Sequence, residues 1–247
     1  MRKLQPGDIF RICEWGSDKH DLDRAIVLLR VADPSANREE LVRLPIGQRD
    51  ALLLRLRAET FGERFDIQVR CPKCGERLEF SVDAAQLLLK HPDSDQDGVL
   101  ESDGWSLRYR LPNSADLAFV SGISNTVEAR RALLSRCVRA TDGNGQLQLA
   151  KDVPLDLLDQ VVERMGEEDP QADITFKLSC SSCKTGWRSA FDILSYFWAE
   201  LEAYAERLQD DVHYIARAYG WPEDSILGMS AKRRQRYLEL ISDARSH

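Results

Sequence analysis

Apolar residues recur at helical spacing from Leu22 through Ala25, Ile26 and Leu29 to Ala32, between acidic Asp21 and Asp23 and a stop at Asp33-Pro34, which predicts an amphipathic helix. A second helix, rich in Leu and Arg, is expected from about Gln48 to Phe61, closing at Gly62 where a left-handed residue is wanted. The period then changes from helical to two. Phe65, Ile67 and Val69 alternate with Asp66, Gln68 and Arg70, and after Cys71-Pro-Lys-Cys74-Gly75 the alternation resumes at Leu78, Phe80 and Val82. This predicts a hairpin with one buried face and a cysteine pair at its tip. Residues 90–104 are acidic and Gly-punctuated and read as a surface loop, followed by a strand at Trp105–Leu111 that Pro112 ends. Helices are expected next: a short one capped by Ser114, one over Val127–Ala140, and one over Val153–Met165 with Pro154 in its first turn. Ile174, Phe176 and Leu178 then alternate into Cys180-Ser-Ser-Cys183, with Trp187 and Phe191 beyond, a second hairpin.

The two cysteine segments form an internal repeat. At an offset of 109 residues Cys71 maps to Cys180, Cys74 to Cys183, Leu78 to Trp187 and Asp83 to Asp192, and the preceding alternating triads stay in register. Each Asp stands where a helix would start. After Asp192 that helix is long, with Phe197, Leu201, Tyr204, Leu208, Val212, Ile215 and Tyr219 stepping by three and four until Gly220-Trp-Pro222. It should span roughly 40 Å at about 1.5 Å per residue. A short helical turn after Pro222 and a basic helix from Ser230 to about Ile241 finish the chain.

The expected fold class is therefore α+β and helix-rich, with two duplicated, zinc-ribbon-like hairpins surrounded by α-helices and a long amphipathic helix toward the C-terminus. The expected organisation is a helical segment over 1–62, then a core over 63–192, then a helical region over 193–247. The core comprises the hairpins 63–83 and 172–192 with a helical insert at 112–168.

Composition narrows the chemistry. With 247 residues, 43% hydrophobic and 30% charged, the chain is long enough for a real hydrophobic core and far from disordered or low-complexity composition. The balance of 34 basic and 41 acidic residues leaves a net charge of −7, against a generic affinity of the whole molecule for nucleic acid or anionic lipid. The amino terminus has no apolar signal region, and the longest aliphatic run, Ala25–Leu29, is too short for a membrane span. A soluble, cytoplasmic protein is expected, and six cysteines in a reducing compartment point to metal or redox work rather than disulfides.

Two C-x-x-C pairs on facing hairpin tips can complete a tetrahedral four-thiolate site, so Cys71, Cys74, Cys180 and Cys183 are the candidate zinc ligands. With 105 residues between the pairs, the bare spacing is unlike the usual 15–20, and the repeated strand-knuckle-strand context carries the expectation. All four positions would be filled by protein, making the zinc structural. A redox pair fits less well, because such motifs open a helix that lowers the thiol pKa and here a strand follows. Cys13 and Cys137 read as buried small hydrophobes.

Other motifs have plainer explanations. Asp93, Asp95, Asp97 and Gly98 match the start of a calcium loop, but Gly104 stands where the bidentate Glu belongs, so a solvated acidic loop is expected. The terminal segment could pass for a helix-turn-helix with Lys232, Arg233, Arg234 and Arg236 on its second helix. A zinc-ribbon nucleic-acid-binding regulator is the alternative this supports, although acidic Glu223, Asp224 and Glu239 and the overall charge favour a solvated or protein-facing surface. Tyr196, Trp198 and Tyr204 form an aromatic-rich helix face, to be assigned to core or to an interface. His20, His91, His213 and His247 are scattered, and no catalytic grouping stands out. No enzymatic activity and no small-molecule substrate are expected.

The order of several segments resembles a known family. These are Leu44-Pro-Ile-Gly-Gln-Arg-Asp50, Phe61-Gly62, the knuckle from Cys71 to Phe80, Leu111-Pro-Asn-Ser-Ala-Asp-Leu117, Cys137, the second knuckle, Tyr219-Gly-Trp-Pro222 and Arg233-Arg-Gln-Arg-Tyr-Leu238. Together they are similar to the T4-like phage baseplate proteins, also labelled baseplate hub assembly chaperones, of contractile phage tails and phage-derived contractile injection systems. The resemblance runs from about Asp21 onward. It implies a non-enzymatic component or assembly factor that contacts baseplate hub or wedge proteins. It leaves open whether the protein stays in the finished particle or leaves after assembly.

Overall fold

Four helices precede the first cysteine pair: α1 (Pro6–Gly16), α2 (Asp21–Ala32), α3 (Arg38–Arg43) and α4 (Ile46–Phe61). The arrangement comes from a computed structural model that describes residues 1–89 and 97–245. α2 and α4 stand where the apolar periodicity puts them. α1 is an addition, built on buried Ile9 and Ile12 and held at its start by Asp8, which accepts from the Gln5 N–H at 2.9 Å and from Arg2 and Arg11. α3 is six residues long with only Leu41 buried, too short to show a helical period. α4 buries Leu53, Leu54 and Leu56 completely and stops at Gly62, whose φ of 103° no side chain adopts comfortably.

Strands β1 (Arg64–Arg70) and β2 (Arg77–Asp83) form the first hairpin, and a single helical turn, α5 (Ala84–Leu87), follows Asp83. The second hairpin pairs β7 (Thr175–Ser179) with β8 (Gly186–Ala190). The duplication extends to hydrogen-bond register: Val69 opposes Leu78 and Leu178 opposes Trp187, while Asp66 opposes Ser81 and Thr175 opposes Ala190. Identical register puts the apolar set of both hairpins on one face. Those faces meet in a run of aromatic rings, Phe80 on Phe176 at 5.2 Å, Phe176 on Phe191 at 5.7 Å and Phe65 on Phe191 at 6.4 Å between centroids.

Between the hairpins lies a second structural layer. Strands β3 (Gly98–Ser102), β4 (Trp105–Tyr109), β5 (Val138–Thr141) and β6 (Leu147–Gln148) form an antiparallel sheet in that order. Helices α6 (Ser114–Val120), α7 (Thr126–Cys137) and α8 (Leu155–Glu168) accompany it. Two expectations are corrected here. Residues 98–102 are a strand rather than part of a loop, because Leu100 is buried opposite Leu107. The helix expected to reach Ala140 ends at Cys137, because Val138 and Ala140 pair with Tyr109 and Leu107. The insert thus mixes helix and sheet, and its own core gathers Leu100, Leu107, Leu134, Leu157 and Val161.

α9 (Ile193–Tyr219) starts where Asp192 accepts from the Leu194 N–H at 2.9 Å and ends at Gly220, with φ 69°. Its apolar stripe packs into the larger core with α1, α2, α4 and both hairpins. Arg57 of α4 ties three elements together: it ion-pairs with Glu200 of α9 at 2.5 Å, donates to the carbonyls of Gly62 and Arg64, and lies 3.9 Å over the Phe65 ring. α10 (Glu223–Leu227) and α11 (Ala231–Arg245) fold back on α9. Among the described residues, no helix is long and apolar enough to cross a membrane.

Gln171 fastens the insert to the hairpins, and Asp116 braces it from within. Gln171, buried in the turn Pro170–Asp173, donates to the Leu87 carbonyl at 3.1 Å and accepts from the Leu89 N–H at 2.7 Å, clamping the strand-exit side of the first hairpin to the entry of the second. Asp116, fully buried, accepts from Arg110 at 2.5 and 2.9 Å, from Arg136 at 2.8 Å and from the Asn113 N–H. Burial raises its pKa, but the bonds from Arg110 and Arg136 outweigh this and hold it at about 2.

Asp116→Asn should cost about 2–3 kcal/mol at pH 7 by urea unfolding, less than the 3–5 of a fully enclosed pair because both arginines keep some water. The folded pKa lies below the unfolded one, so the stability Asp116 contributes is complete above about pH 4 and is lost as pH falls toward about 2. The variant should lack this part of the parent's acid sensitivity, and equal stability of parent and variant at pH 7 would contradict the account.

Candidate metal centre

Each hairpin tip turns in the same way. The Cys71 N–H donates to the Glu76 carbonyl at 2.8 Å and the Gly75 N–H to the Cys71 carbonyl at 2.9 Å; in the second tip Cys180 donates to Thr185 at 2.9 Å and Lys184 to Cys180 at 3.0 Å. This tight return requires a left-handed residue at the fifth position. Gly75 supplies it at φ 75°, whereas the second tip holds Lys184 at φ 59°, an unfavourable conformation for a residue with a Cβ.

The tips bring all four candidate ligands together. The sulfurs of Cys71, Cys74, Cys180 and Cys183 lie within 4.8 Å of one another, the one such group of three or more His, Cys, Asp or Glu among the described residues. The short separations cross between hairpins, Cys71 to Cys183 and Cys74 to Cys180, both 3.6 Å. A disulfide needs about 2.05 Å. A tetrahedral ion with Zn–S bonds of about 2.3 Å sets its sulfurs about 3.8 Å apart, so the cluster has the dimensions of a four-thiolate metal site. Cys71 and Cys180 are buried, Cys183 is half-buried and Cys74 is exposed.

The sulfurs do not ionise alike. The Thr185 hydroxyl, 3.3 Å away, and the Thr185 backbone pull Cys183 down to about 6. At Cys74 a backbone hydrogen bond from Glu76 lowers the pKa, but protons shared with Cys183, Cys180 and Cys71 push it up to about 12.

The remaining candidates do not join this site. Cys137 is buried as expected, whereas Cys13 is half-buried against the larger core, and desolvation pushes both thiols up to about 11. Asp93 and Asp95 lie outside the described residues; Asp103 and Gly104, at φ 50° and 77°, form the two-residue turn between β3 and β4. His20 caps α2 by accepting from the Leu22 N–H, His213 packs against Tyr214, and His91 and His247 lie outside the described residues.

The C-terminal cations do not form one exposed stripe. Arg234 is 3% exposed and directed at the Met229 carbonyl and Asp211, Arg236 pairs with Glu239, and Arg233 lies over the Tyr237 ring. The aromatic face of α9 is core: Trp198 is 4% exposed, covered by Arg24 at 4.5 Å, and donates to Glu202. Tyr196 stacks on Phe65, and Tyr204 meets Phe61 at a tilt, both with 5.6 Å between ring centroids.

Against this geometry, a family model described as T4 bacteriophage base plate protein matches residues 18–198. No curated protein and no solved structure matches the chain.

Relieving the strained tip should be measurable. Lys184→Gly should raise stability by up to about 1 kcal/mol in thermal melting, the left-handed penalty less the greater chain entropy of glycine. Gly75→Ala should lower it by about 1–2 kcal/mol. The opposite order of the two melting temperatures would show that the tips are not held in these conformations.

Proposed function

Because this chain belongs to the T4 bacteriophage base plate protein family, we propose that it is a non-enzymatic structural or assembly component of the baseplate of a contractile phage tail or phage-like injection system, with one structural zinc held by Cys71, Cys74, Cys180 and Cys183. The observation that carries this is the extent of the family match: residues 18–198 take in both hairpins, the whole insert and the start of α9. The matched segment is therefore the body of the fold and not one borrowed motif.

The zinc assignment rests on donor chemistry and position. Four sulfurs offer a soft, closed tetrahedral set with no place for a reacting water, the character of a structural zinc rather than a catalytic one. Zinc bound there would lock two zinc-ribbon-like tips together. The protein's own part is to present the sulfurs: the tip turns aim Cys71 and Cys180 inward, and the aromatic contacts behind them fix the hairpin separation.

In this role the protein contacts hub or wedge proteins, in a chaperone-like capacity during assembly in the cytoplasm, with incorporation into the tail or injection-system particle as the endpoint. Arg234 is buried and Arg236 pairs with Glu239, which leaves Lys232, Arg233 and Arg236 as a small exposed basic patch on a molecule of net charge −7, a weak electrostatic footprint for the nucleic-acid alternative.

Native mass spectrometry of the protein, purified with the baseplate proteins encoded beside it, tests both halves. One zinc per chain within a complex containing hub or wedge proteins is the expected result. A chain that carries no metal and binds none of these proteins would overturn the proposal. Cys74→Ser should lose the zinc and melt about 10 °C lower, corresponding to roughly 3–5 kcal/mol at 2–4 °C per kcal/mol, since the two cores still fold around the tips. Equal melting of variant and parent would overturn the metal assignment alone.

A further inference from the structure

The insert carries a groove that neither the metal centre nor the larger core uses. It holds about 680 Å³ between α7, the start of β5, the segment 147–151 and the first turn of α8. Its floor is apolar, with buried Leu134, Val138 and Leu158. Its rim is also apolar yet open to water: Leu147, Leu149 and Leu155 are 80%, 63% and 65% exposed. Three large aliphatic side chains around one groove form the kind of concentrated exposed apolar surface that marks interaction sites.

The backbone along this rim is an unfinished sheet edge. β6 is two residues long and pairs only with Ala140 and Thr141, after which the chain turns away at Ala150–Asp152. The Asp142 N–H donates to the Gln146 carbonyl at 3.0 Å, so antiparallel alternation makes Ala140–Gln148 the next bonded pair and turns the N–H and C=O of Leu147 away from β5. That is the edge at which an extended peptide can add a strand.

Charge decides the occupant. Arg131, Arg139 and Lys151 line the groove, all three are exposed, and among the described residues no ion pair engages them, although neighbouring Arg130 and Arg136 are both paired. No carboxylate lines the groove. On a molecule of net charge −7 this is a local concentration of uncompensated positive charge, complementary to carboxylates. A second copy of this chain would bring the same cations into opposition. Nucleic acid would need aromatic platforms or a continuous basic track, and aliphatic side chains take their place here.

We propose that this groove binds an extended acidic segment of a partner polypeptide, which adds as a strand outside β6, sets an apolar side chain among Leu147, Leu149 and Leu155, and places carboxylates against Arg131, Arg139 and Lys151. The site belongs to the insert's own core and does not depend on the metal or on the baseplate assignment, so its failure and theirs are read separately.

The test is fluorescence anisotropy of the full chain with a labelled ten-residue peptide of alternating leucine and glutamate. Saturable binding is expected. It should weaken at least tenfold in the double variant Arg131→Glu with Arg139→Glu, at least tenfold in Leu147→Asp, and at least tenfold when alternate peptide amides are N-methylated, while circular dichroism of the exposed-site variants stays that of the parent. Absence of saturable binding up to 1 mM, equal binding of a leucine–lysine peptide, or equal binding by the double variant would overturn the proposal. So would concentration-dependent dimerisation abolished by Leu147→Asp, which would assign the edge to a second copy, or preference for single-stranded DNA over the peptide.

Discussion

Everything in this molecule depends on bringing together two hairpins that the chain separates by more than a hundred residues. Closing so long a loop costs conformational entropy that grows only slowly with its length, but the cost falls due before any contact across it can form. The protein meets it with contacts of different kinds at successive depths. Sulfur gathers at the tips, aromatic rings interlock behind them, and the Gln171 amide joins the backbone at the base of the insert. Arg57 and Glu200 then bind α4, β1 and α9 into one frame beneath. A metal at the tips would act at the end of this lever, where few other contacts hold the chain.

The two cores meet at the start of α4. Pro45 bridges Asn113, the Ile46 N–H donates to the Pro112 carbonyl at 3.1 Å, and Arg49 reaches Ser114 at 3.2 Å. Gly47 approaches Asp169 so closely that a Cβ would fall 1.8 Å from its carboxylate, to which the Gly47 N–H donates at 2.9 Å. The segments Leu44–Asp50 and Leu111–Leu117, two of those that carry the family resemblance, are thus the two sides of this joint. Their composition follows from close packing between cores and needs no chemistry of its own.

Such an arrangement suits a protein that works by holding others in place. The larger core packs with both hairpins, the insert has its own core and surface, and the contacts at the start of α4 join the two. The family match takes in α2 to α8, both hairpins and the first residues of α9, and leaves α1, most of α9, α10 and α11 outside the matched segment. Ile226 and Arg234 anchor α10 and α11 from within.

Much of this was legible in the chain itself. α2, α4, the hairpins and α9 follow from local periodicity and local stop signals, and the four-cysteine grouping follows from a repeat whose register holds over 109 residues. Local pattern also marks the first two strands of the insert: Asp103-Gly104 between alternating residues is a two-residue hairpin turn, and it joins β3 to β4. What the sequence alone could not decide are the features that need a distant partner. Val138 and Ala140 continue a helical pattern perfectly well, and only pairing with Tyr109 and Leu107 makes them a strand. The aromatic face of α9 has the composition of an interface, and only the approach of Gly16 and Arg24 makes Trp198 core. The cations of α11 share one short segment, and only Asp211 and the Met229 carbonyl take Arg234 out of water. Periodicity records which face of an element is buried, whereas what buries it is set by tertiary contacts, and those decide whether a side chain is core, interface or ligand.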